Sequence, residues 1–217
     1  MTDVTLAQQI KNRFQLGPAS HMTHAKNLQQ ILADGGLSSY KRMRERQYQS
    51  LANDDVQAGR ASIMVQVSQI PLHDDVPLYF GFKTPMVACN QANNEHIVFL
   101  RVSLNILALP GVVFSDGNAR SKATKFYLFK ELDDLGALDI TSIQTVRYAF
   151  DSEIKRKKQA EILVPNFLDF EQVFDIICFS EFAAKEVMKT LGASGIRRPV
   201  IVNPGWYFRP LTKGPDA

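Results

Sequence analysis

Cysteine is scarce in this chain: 217 residues contain two, Cys89 and Cys178, and neither belongs to a CxxC pair. Their spacing argues against the usual zinc sites and against a disulfide framework, and we expect two reduced, buried thiols. Hydrophobic residues make up 45% and charged residues 22% of the chain, which argues against disordered and fibrous classes. The length suits a single domain over residues 1–217 with a full core.

Long apolar runs are also missing. The most apolar stretch, residues 97–114, is interrupted by Arg101, Ser103, Asn105 and Pro110, so it cannot cross a bilayer. The first residues, MTDVTLAQQIKNRF, have an amphipathic pattern without the apolar segment or cleavage site of a signal peptide. We therefore expect a cytoplasmic protein that has no membrane partner.

Several common catalytic and phosphate-binding motifs are absent. The chain contains no GxGxxG, no GxxxxGK[ST], no GxSxG and no HExxH. If the protein is an enzyme, its chemistry therefore depends on polar residues scattered along the sequence.

Short apolar runs and helical patterns occur without strict alternation, which favours the α+β class. Thr23 is a candidate N-cap for a helix that ends at Gly35 and Gly36, and Ser180 for a second helix. A long polar excursion at 38–69 is expected to hold one or two helices. The other predicted elements are an N-terminal helix or extension over 1–18, a helical face over 126–135, a frayed tail over 209–217, and strands at 77–82, 97–102, 112–114, 161–164, 174–179 and 199–202.

Positive charge is clustered although the net charge is only +3. One cluster lies at 41–46, a second at 155–158 and a third at 197–198. Such clusters on a nearly neutral chain favour an anionic partner such as nucleic acid, and a solvated basic face is the alternative.

Two polar groups could carry chemistry. His21, Thr23 and Asn27, at the start of a predicted helix, could bind an amide, a ribose or a phosphate, or could simply cap the helix. Glu161 begins an apolar strand shortly after the four cations at 155–158, where it could act as a general base or pair with Lys157 or Lys158.

Two further segments have a structural and a functional interpretation. The run His73, Asp74 and Asp75 has metal-ligand residue types, but a turn that begins a strand explains it better, and we predict no metal. Tyr79, in that strand, could stack on an aromatic ligand or fill the core. Asn118 ends an SDGN turn and could present its amide to a base edge.

In chain order, these segments resemble the DarT family of bacterial ADP-ribosyltransferase toxins, which modify nucleic acid bases using NAD. The segments that carry the resemblance are HMTHAKNLQQIL, LHDDVPLYFGFKTPM, FSDGNA, KKQAEILV and WYF. Many relatives read HDYVP and RSPM where this chain has HDDVP and KTPM, which leaves the target base open.

The resemblance implies an α+β fold in which two facing sheets hold NAD in a cleft. It implies that Glu161 is the catalytic glutamate and that Arg60 contacts NAD and the reacting centre. The residues that it implies for NAD binding are His21, Thr23, Asn27, Tyr79 and Met86.

The implied reaction transfers ADP-ribose from NAD to a base of single-stranded DNA and needs no metal. Glu161 would bind the ribose hydroxyls and take a proton from the attacking base, which must leave the stack. Asn118 and Lys122 are candidates for sequence preference, and the basic clusters are candidates for backbone contacts. The candidate backbone contacts are Lys41, Arg42, Arg44, Arg46, Lys155, Arg156, Lys157 and Lys158.

The family also implies a toxin-antitoxin system with a cognate antitoxin and a role in phage defence. Four alternatives remain open from the sequence. They are ADP-ribosylation of RNA bases, ADP-ribosylation of protein, hydrolysis of NAD, and nucleic acid binding without catalysis.

Overall fold

A computed structural model describes residues 4–52 and 54–209. The predicted frayed tail at 209–217 lies outside these residues except for Arg209. The strands are β1 (Ala19–His24), β2 (Gly36–Ser38), β3 (Met64–Val65), β4 (Ile70–Pro71), β5 (Asp75–Tyr79), β6 (Ile97–Val102), β7 (Val113–Ser115), β8 (Phe126–Leu128), β9 (Glu161–Pro165), β10 (Phe167–Asp169), β11 (Val173–Cys178) and β12 (Val200–Val202). The helices are α1 (Leu6–Phe14), α2 (Leu28–Ala33), α3 (Tyr40–Met43), α4 (Asp54–Ala61), α5 (Pro85–Cys89), α6 (Ile140–Gln144), α7 (Ser152–Lys157) and α8 (Glu181–Ala193).

Eight strands form one sheet in the order β12-β11-β6-β1-β5-β9-β7-β8. At its centre β1 and β5 pair at a single position, Ser20 opposite Tyr79, whereas β1 and β6 pair along six residues. The sheet therefore consists of two four-stranded halves, β12-β11-β6-β1 and β5-β9-β7-β8. They meet at this single pairing of Ser20 with Tyr79, which we call the joint. The two sheets that the family resemblance implies correspond to these two halves of one eight-stranded sheet.

The apolar core explains why the β6 segment has a strong strand pattern in the sequence. Val98 and Leu100 face the main apolar cluster with helix residues such as Leu28 and Val187, while Phe99 faces a second cluster with Tyr207. Both faces of β6 are thus covered, and burial of each large apolar side chain contributes about 1.5–3 kcal/mol. The Tyr207 hydroxyl ties the closing segment to the backbone of this half of the sheet.

Two predicted helix boundaries agree with the structure, whereas one boundary and one predicted helical face do not. Ser180 caps α8 through its hydroxyl, and Gly35 follows α2 with φ +77°. Thr23, however, lies in β1, and His24 instead caps the 3₁₀ turn before α2. The predicted helical face over 126–135 is wrong, because this segment forms β8 and a 3₁₀ turn.

The excursion at 38–69 contains α3 and α4, as expected. It crosses the joint of the sheet and returns through the hairpin β3–β4 to β5. Arg60, near the end of α4, is brought in this way to the same place as β5 and β9.

The two cysteines are both free, and only Cys178 is buried; the expectation that Cys89 is also buried is wrong. Among the helices of the described residues, none is long and apolar enough to cross a membrane.

Candidate active site

Glu161 is the first residue of β9 and lies opposite Tyr79 of β5, beside the joint of the sheet. It is 1% exposed, although the residues around a strand end are usually solvated. Its backbone N–H donates to the Ser115 hydroxyl at 3.1 Å, and its Oε1 accepts from the Ala119 backbone N–H at 3.3 Å. The position of this carboxylate is thus set by β7 and by the loop that follows β7.

Arg60 binds the Glu161 carboxylate with both terminal nitrogens. Nη1 donates to Oε1 at 3.2 Å and Nη2 donates to Oε2 at 3.0 Å. Burial alone would lower the pKa of Arg60, but the facing Glu161 carboxylate outweighs it and raises the pKa. A planar guanidinium is suited to such a two-point contact with a carboxylate.

Asp75 and Tyr79 extend this cluster along β5. Burial, with a smaller contribution from neighbouring Asp74, raises the pKa of Asp75 to about 7. Burial also raises the pKa of the Tyr79 hydroxyl, with a further contribution from Glu161. The hydroxyl lies 3.5 Å from the Met86 sulfur, so the two residues predicted to line the NAD cleft are in contact.

His21 lies on the other side of the joint. Its Nδ1 is 2.9 Å from the Pro77 carbonyl oxygen, which can only accept, so Nδ1 carries the proton. Burial lowers the pKa of His21 more than this carbonyl raises it, which favours the neutral ring. Nε2 is then left as a hydrogen-bond acceptor.

Asn27 holds the chain segment around Gln49 close to Thr23 of β1. Its Nδ2 donates to the Thr23 hydroxyl at 3.1 Å and to the Gln49 carbonyl at 2.9 Å, while its Oδ1 accepts from the Gln49 N–H at 2.8 Å. Its amide is thus engaged with protein atoms. The structure gives Asn27 a role in holding this segment beside Thr23.

A cavity of about 170 Å³ lies in front of the joint. Its walls combine apolar and aromatic groups with a few hydrogen-bonding groups, as is usual for sites that take an organic ligand. All five residues predicted to bind NAD lie on it. They are His21, Thr23, Asn27, Tyr79 and Met86.

The loop after β7 presents Asn118 next to this centre. The Asn118 side chain donates to Gln159 Oε1 at 3.1 Å and accepts from the Arg120 backbone N–H at 2.9 Å. A Cβ at Gly117 would come within 3.0 Å of the Arg156 carbonyl oxygen, so the loop packs closely on the end of α7. Lys122, in the same loop, is exposed.

The prediction that Lys158 contacts nucleic acid is wrong. Lys158 is 0% exposed, and its ammonium donates to the Ile143 carbonyl at 2.9 Å. Its Nζ also lies 5.6 Å from the centre of the Tyr148 ring. Burial lowers the pKa of Lys158 to about 8, with a smaller contribution from Lys83.

The rest of the second basic cluster divides in two. The Arg156 guanidinium is mostly buried and binds Asp116 and Glu153, so it supports the loop after β7, and a nucleic acid backbone would have to compete with these carboxylates. Lys157 pairs with Asp139 at 3.0 Å. Lys155 is exposed and remains a candidate for backbone contact.

The first basic cluster is exposed, but its members have protein partners. These are Asp74 for Lys41, Glu45 for Arg44, Asp34 for Arg46, and the ring of Phe167 for Arg42. A nucleic acid backbone would have to compete with these carboxylates. No group of three or more His, Cys, Asp or Glu side chains in the described part of the chain could hold a metal ion.

Comparison with known proteins identifies the family. A family model described as "ssDNA thymidine ADP-ribosyltransferase, DarT" matches residues 20–208. The chain belongs to the DarT family. A DNA ADP-ribosyl transferase of Thermus aquaticus is 33% identical over 201 residues, which cover 87% of this chain and 88% of that protein.

Other DarT relatives are similar in sequence or in structure. Thermus sp. 2.9 DarT in complex with ADP-ribosylated ssDNA has a TM-score of 0.82 and 30% identity, covering 89% of this chain and 97% of that one. Its complex with NAD+ has a TM-score of 0.73 and 28% identity, covering 88% and 97%. A DNA ADP-ribosyl transferase-DNA ADP-ribosyl glycohydrolase fusion protein of Thermosipho africanus is 25% identical over 195 residues, covering 88% of this chain and 49% of the fusion.

These DarT matches confirm the predicted family, the α+β ADP-ribosyltransferase-like fold, and the enzyme class, an NAD-dependent ADP-ribosyltransferase with NAD as co-substrate. The contributions of Ser115 and Gln49 were not predicted from the sequence. The Ser115 hydroxyl binds the backbone of Glu161, and Gln49 binds Asn27 through its own backbone, and neither contact leaves a sequence signal.

Proposed function

We propose that this protein transfers ADP-ribose from NAD to the thymine base of single-stranded DNA and releases nicotinamide. The observation that carries the proposal is the buried Glu161 carboxylate, which is held by Arg60 and whose strand position is opposite Tyr79, one of the NAD-binding candidates on the cavity. The description of the matching family, and the single-stranded DNA product bound to the Thermus sp. 2.9 protein, support DNA as the acceptor.

The residues on the cavity fit NAD by their chemistry. Neutral His21 offers an acceptor at Nε2 and Thr23 offers a hydroxyl, which together suit a carboxamide and ribose hydroxyls. Tyr79 offers an aromatic face and Met86 a polarisable sulfur beside it. These groups orient NAD, and orientation accounts for a large part of the rate of such transfers.

Glu161 performs two tasks in this proposal. Its carboxylate accepts a hydrogen bond from the ribose and stabilises the positive charge that develops when the bond to nicotinamide breaks. It then takes the proton from the attacking ring nitrogen of the base. Since Arg60 holds both carboxylate oxygens in the free protein, the guanidinium must release at least one of them when substrates bind.

Single-stranded DNA is the expected form of the acceptor because a stacked and paired base cannot reach a buried carboxylate. We assign the contacts to the DNA backbone to the exposed Lys122 and Lys155 and to the cluster at 41–46. We assign a contact to the base to Asn118. We place the enzyme in the bacterial cytoplasm, where DNA and NAD are present.

Modification of the cell's own DNA would be toxic, so we also propose a toxin-antitoxin role. The antitoxin would be an enzyme that removes ADP-ribose from DNA, a partner that blocks the cavity, or both. The fusion of a DNA ADP-ribosyl transferase to a DNA ADP-ribosyl glycohydrolase in the Thermosipho africanus protein supports the first possibility.

The test uses four single-stranded oligomers that share one sequence context around a central thymine, cytosine, adenine or guanine, together with the RNA form of each and total cell protein. Each is incubated with NAD and the enzyme, and mass spectrometry detects an added ADP-ribose. The proposal expects the adduct on the thymine oligomer alone. An adduct on RNA or on protein, or an adduct that does not depend on thymine, would show that thymine in single-stranded DNA is not the acceptor.

Hydrolysis of NAD is the second candidate, because the same carboxylate could activate water. Released nicotinamide is therefore measured in the same samples. Nicotinamide release that equals the adduct supports transfer, whereas release without any adduct supports hydrolysis.

A further inference from the structure

Arg120 follows the loop residue that contacts the Glu161 carboxylate. The Ala119 backbone N–H donates to Glu161 Oε1 at 3.3 Å, and the next N–H, that of Arg120, donates to the Asn118 side chain at 2.9 Å. The Arg120 side chain itself is exposed. It therefore leaves the backbone one residue away from a contact with the proposed reacting centre and reaches solvent.

Gly59 of α4 provides the space in which the Arg120 side chain lies. A Cβ on Gly59 would lie 2.5 Å from Arg120 Nε, 3.1 Å from Cζ and 3.2 Å from Cδ, so any larger residue would displace this side chain. Gly59 directly precedes Arg60, which binds the Glu161 carboxylate with both terminal nitrogens. The loop after β7 and helix α4 thus both bring Arg120 to the Arg60–Glu161 pair.

The loop that carries Arg120 is held at both ends. The Asn118 N–H donates to the Arg156 carbonyl at 2.9 Å, and the Thr124 hydroxyl donates to the Asn118 carbonyl at 2.7 Å. The Arg156 guanidinium donates to Asp116 and to Thr124, each at 3.0 Å. The backbone of Arg120 is thus fixed before any ligand arrives, which lowers the entropic cost of a contact made by this residue.

The charge of Arg120 is unpaired, unlike most of the positive charge in the two basic clusters. The cluster residues with a carboxylate partner are Lys41, Arg44, Arg46, Arg156 and Lys157. Among the side chains that the structure describes, none forms an ion pair or a hydrogen bond with the Arg120 guanidinium. A planar guanidinium with all its N–H donors available is suited to the oxygens of a phosphate, which it can bind at two points.

The position of Arg120 favours a phosphate of DNA over the diphosphate of NAD. In the described part of the chain, the cavity that carries the NAD-binding candidates is lined by Gln57 of α4, but not by Gly59 or by the loop after β7. Asn118, to which we assign the contact with the base, lies two residues before Arg120 in that loop. The anion that comes close to Arg120 is therefore part of the strand that carries the target base.

We propose that Arg120 binds the DNA phosphate next to the target thymine and so holds this base in front of Glu161. The inference rests on the proposed transfer to single-stranded DNA. A contact to a phosphate fixes the position of the strand without reading its sequence, while Asn118 in the same loop contacts the base. Loss of Arg120 weakens binding of the oligomer and leaves binding of NAD unchanged.

Arg120→Ala tests this contact. The KM for a thymine-centred single-stranded oligomer should rise by about tenfold, while the KM for NAD changes by less than about twofold. Fluorescence anisotropy with the same oligomer should give a slope of log K against log salt that is smaller by about 0.7. Arg120→Lys keeps the charge without the planar fork, so it should restore the slope and only part of the affinity. Arg13→Ala, which removes an exposed arginine of α1, is the matched control and should change neither quantity.

Gly59→Ala moves the Arg120 side chain without removing its charge. The added methyl group clashes with that side chain, and alanine favours a helix more than glycine does, so α4 stays folded. The KM for the oligomer should rise towards the value of Arg120→Ala. In the Arg120→Ala background, Gly59→Ala has nothing to displace and should have no further effect, whereas a disturbance of Arg60 would appear in both backgrounds.

A change in the DNA identifies the phosphate. Oligomers carry one uncharged methylphosphonate on the 5′ side or on the 3′ side of the target thymine. At one of these positions the neutral group should weaken binding to the wild type by about tenfold and have little further effect on Arg120→Ala. A thermal melt of each variant checks its folding.

Three results would overturn the inference. They are an unchanged affinity for the oligomer in Arg120→Ala, equal effects of each methylphosphonate on the wild type and on Arg120→Ala, and a rise in the KM for NAD alone, which would assign Arg120 to the NAD diphosphate. If the wild type releases nicotinamide without labelling DNA, the proposed acceptor fails. The anisotropy measurements then decide by themselves whether Arg120 binds the phosphate.

Discussion

Arg60 and Glu161 are 101 positions apart in the sequence and form a two-point contact in which both guanidinium nitrogens lie 3.0–3.2 Å from the carboxylate oxygens. The contact joins α4, which belongs to the polar excursion, to β9, the strand next to β5 in the sheet. It keeps a negative charge buried beside the cavity before any substrate arrives. In the proposed reaction, the Arg60 guanidinium must release at least one oxygen of the Glu161 carboxylate when NAD and DNA bind.

The energetic coupling of this pair can be measured by a double-mutant cycle. Arg60→Ala leaves the Glu161 carboxylate buried without its counter-charge, which should cost about 3 kcal/mol of unfolding free energy. Addition of Glu161→Gln removes that charge, so the double variant should be more stable than Arg60→Ala alone. Urea unfolding of the four proteins provides the values, and additive effects would show that the pair is not coupled.

Asn27 is predicted to act on NAD affinity through Gln49. Asn27→Ala removes two hydrogen bonds to the Gln49 backbone and one to the Thr23 hydroxyl, so this part of the cavity wall loosens. The KM for NAD should rise by about tenfold, and kcat should change by less than about threefold, because binding is weakened in the ground state and the transition state alike. Gln29→Ala, exposed on α2, is the control. Unchanged NAD kinetics in Asn27→Ala would exclude this role.

Buried Lys158 predicts a pH dependence of stability. Its folded pKa of about 8 lies below the ordinary value of 10.5, so between these pH values the unfolded chain binds more protons than the folded protein. Stability should therefore rise with pH from about 8 to about 10.5, by roughly 3 kcal/mol at most from this group. Unfolding free energies of the wild type and Lys158→Met across this range test the point. A rise of the same size in both proteins would contradict it.

The exposed lysines are predicted to act through the DNA backbone. Lys122→Ala and Lys155→Ala should each weaken binding of single-stranded DNA and reduce the slope of log K against log salt by about 0.7. Lys189→Ala, exposed on α8, is the matched control and should leave the slope unchanged. Fluorescence anisotropy at four salt concentrations measures the slopes. If the slope stays the same in Lys122→Ala and Lys155→Ala, these two lysines do not contact the DNA backbone.

Elements with a regular apolar pattern could be predicted from the sequence. β6 has its predicted bounds, because both of its faces are buried and every position but Arg101 is apolar or small enough to pack. The cap at Ser180 was predictable for a local reason, since its hydroxyl satisfies a helix N–H three residues later. β1 was not, because ASHMTH contains one large apolar residue, Met22, and no run of β-branched or aromatic residues, and Thr23 has the residue type of a helix cap.

The site was predictable in its residue types and only partly in its contacts. The positions of Glu161 and His21 followed from the family resemblance, and the structure brings their strands to one joint. The pairing of Arg60 with Glu161 depends on the fold of the excursion, which has no strong sequence pattern. The burial of Lys158 could not be anticipated because a run of four cations is usually solvated, and here the chain turns inward at its last member.

The most direct test of the account is the mass of a thymine-containing single-stranded oligomer after incubation with NAD and either the wild type or Glu161→Gln. The account predicts one added ADP-ribose with the wild type and a rate about 10²–10⁴-fold lower with the variant, the loss expected for a missing general base. Equal labelling by both proteins would contradict it. So would an unmodified oligomer under conditions in which the wild type binds both NAD and DNA.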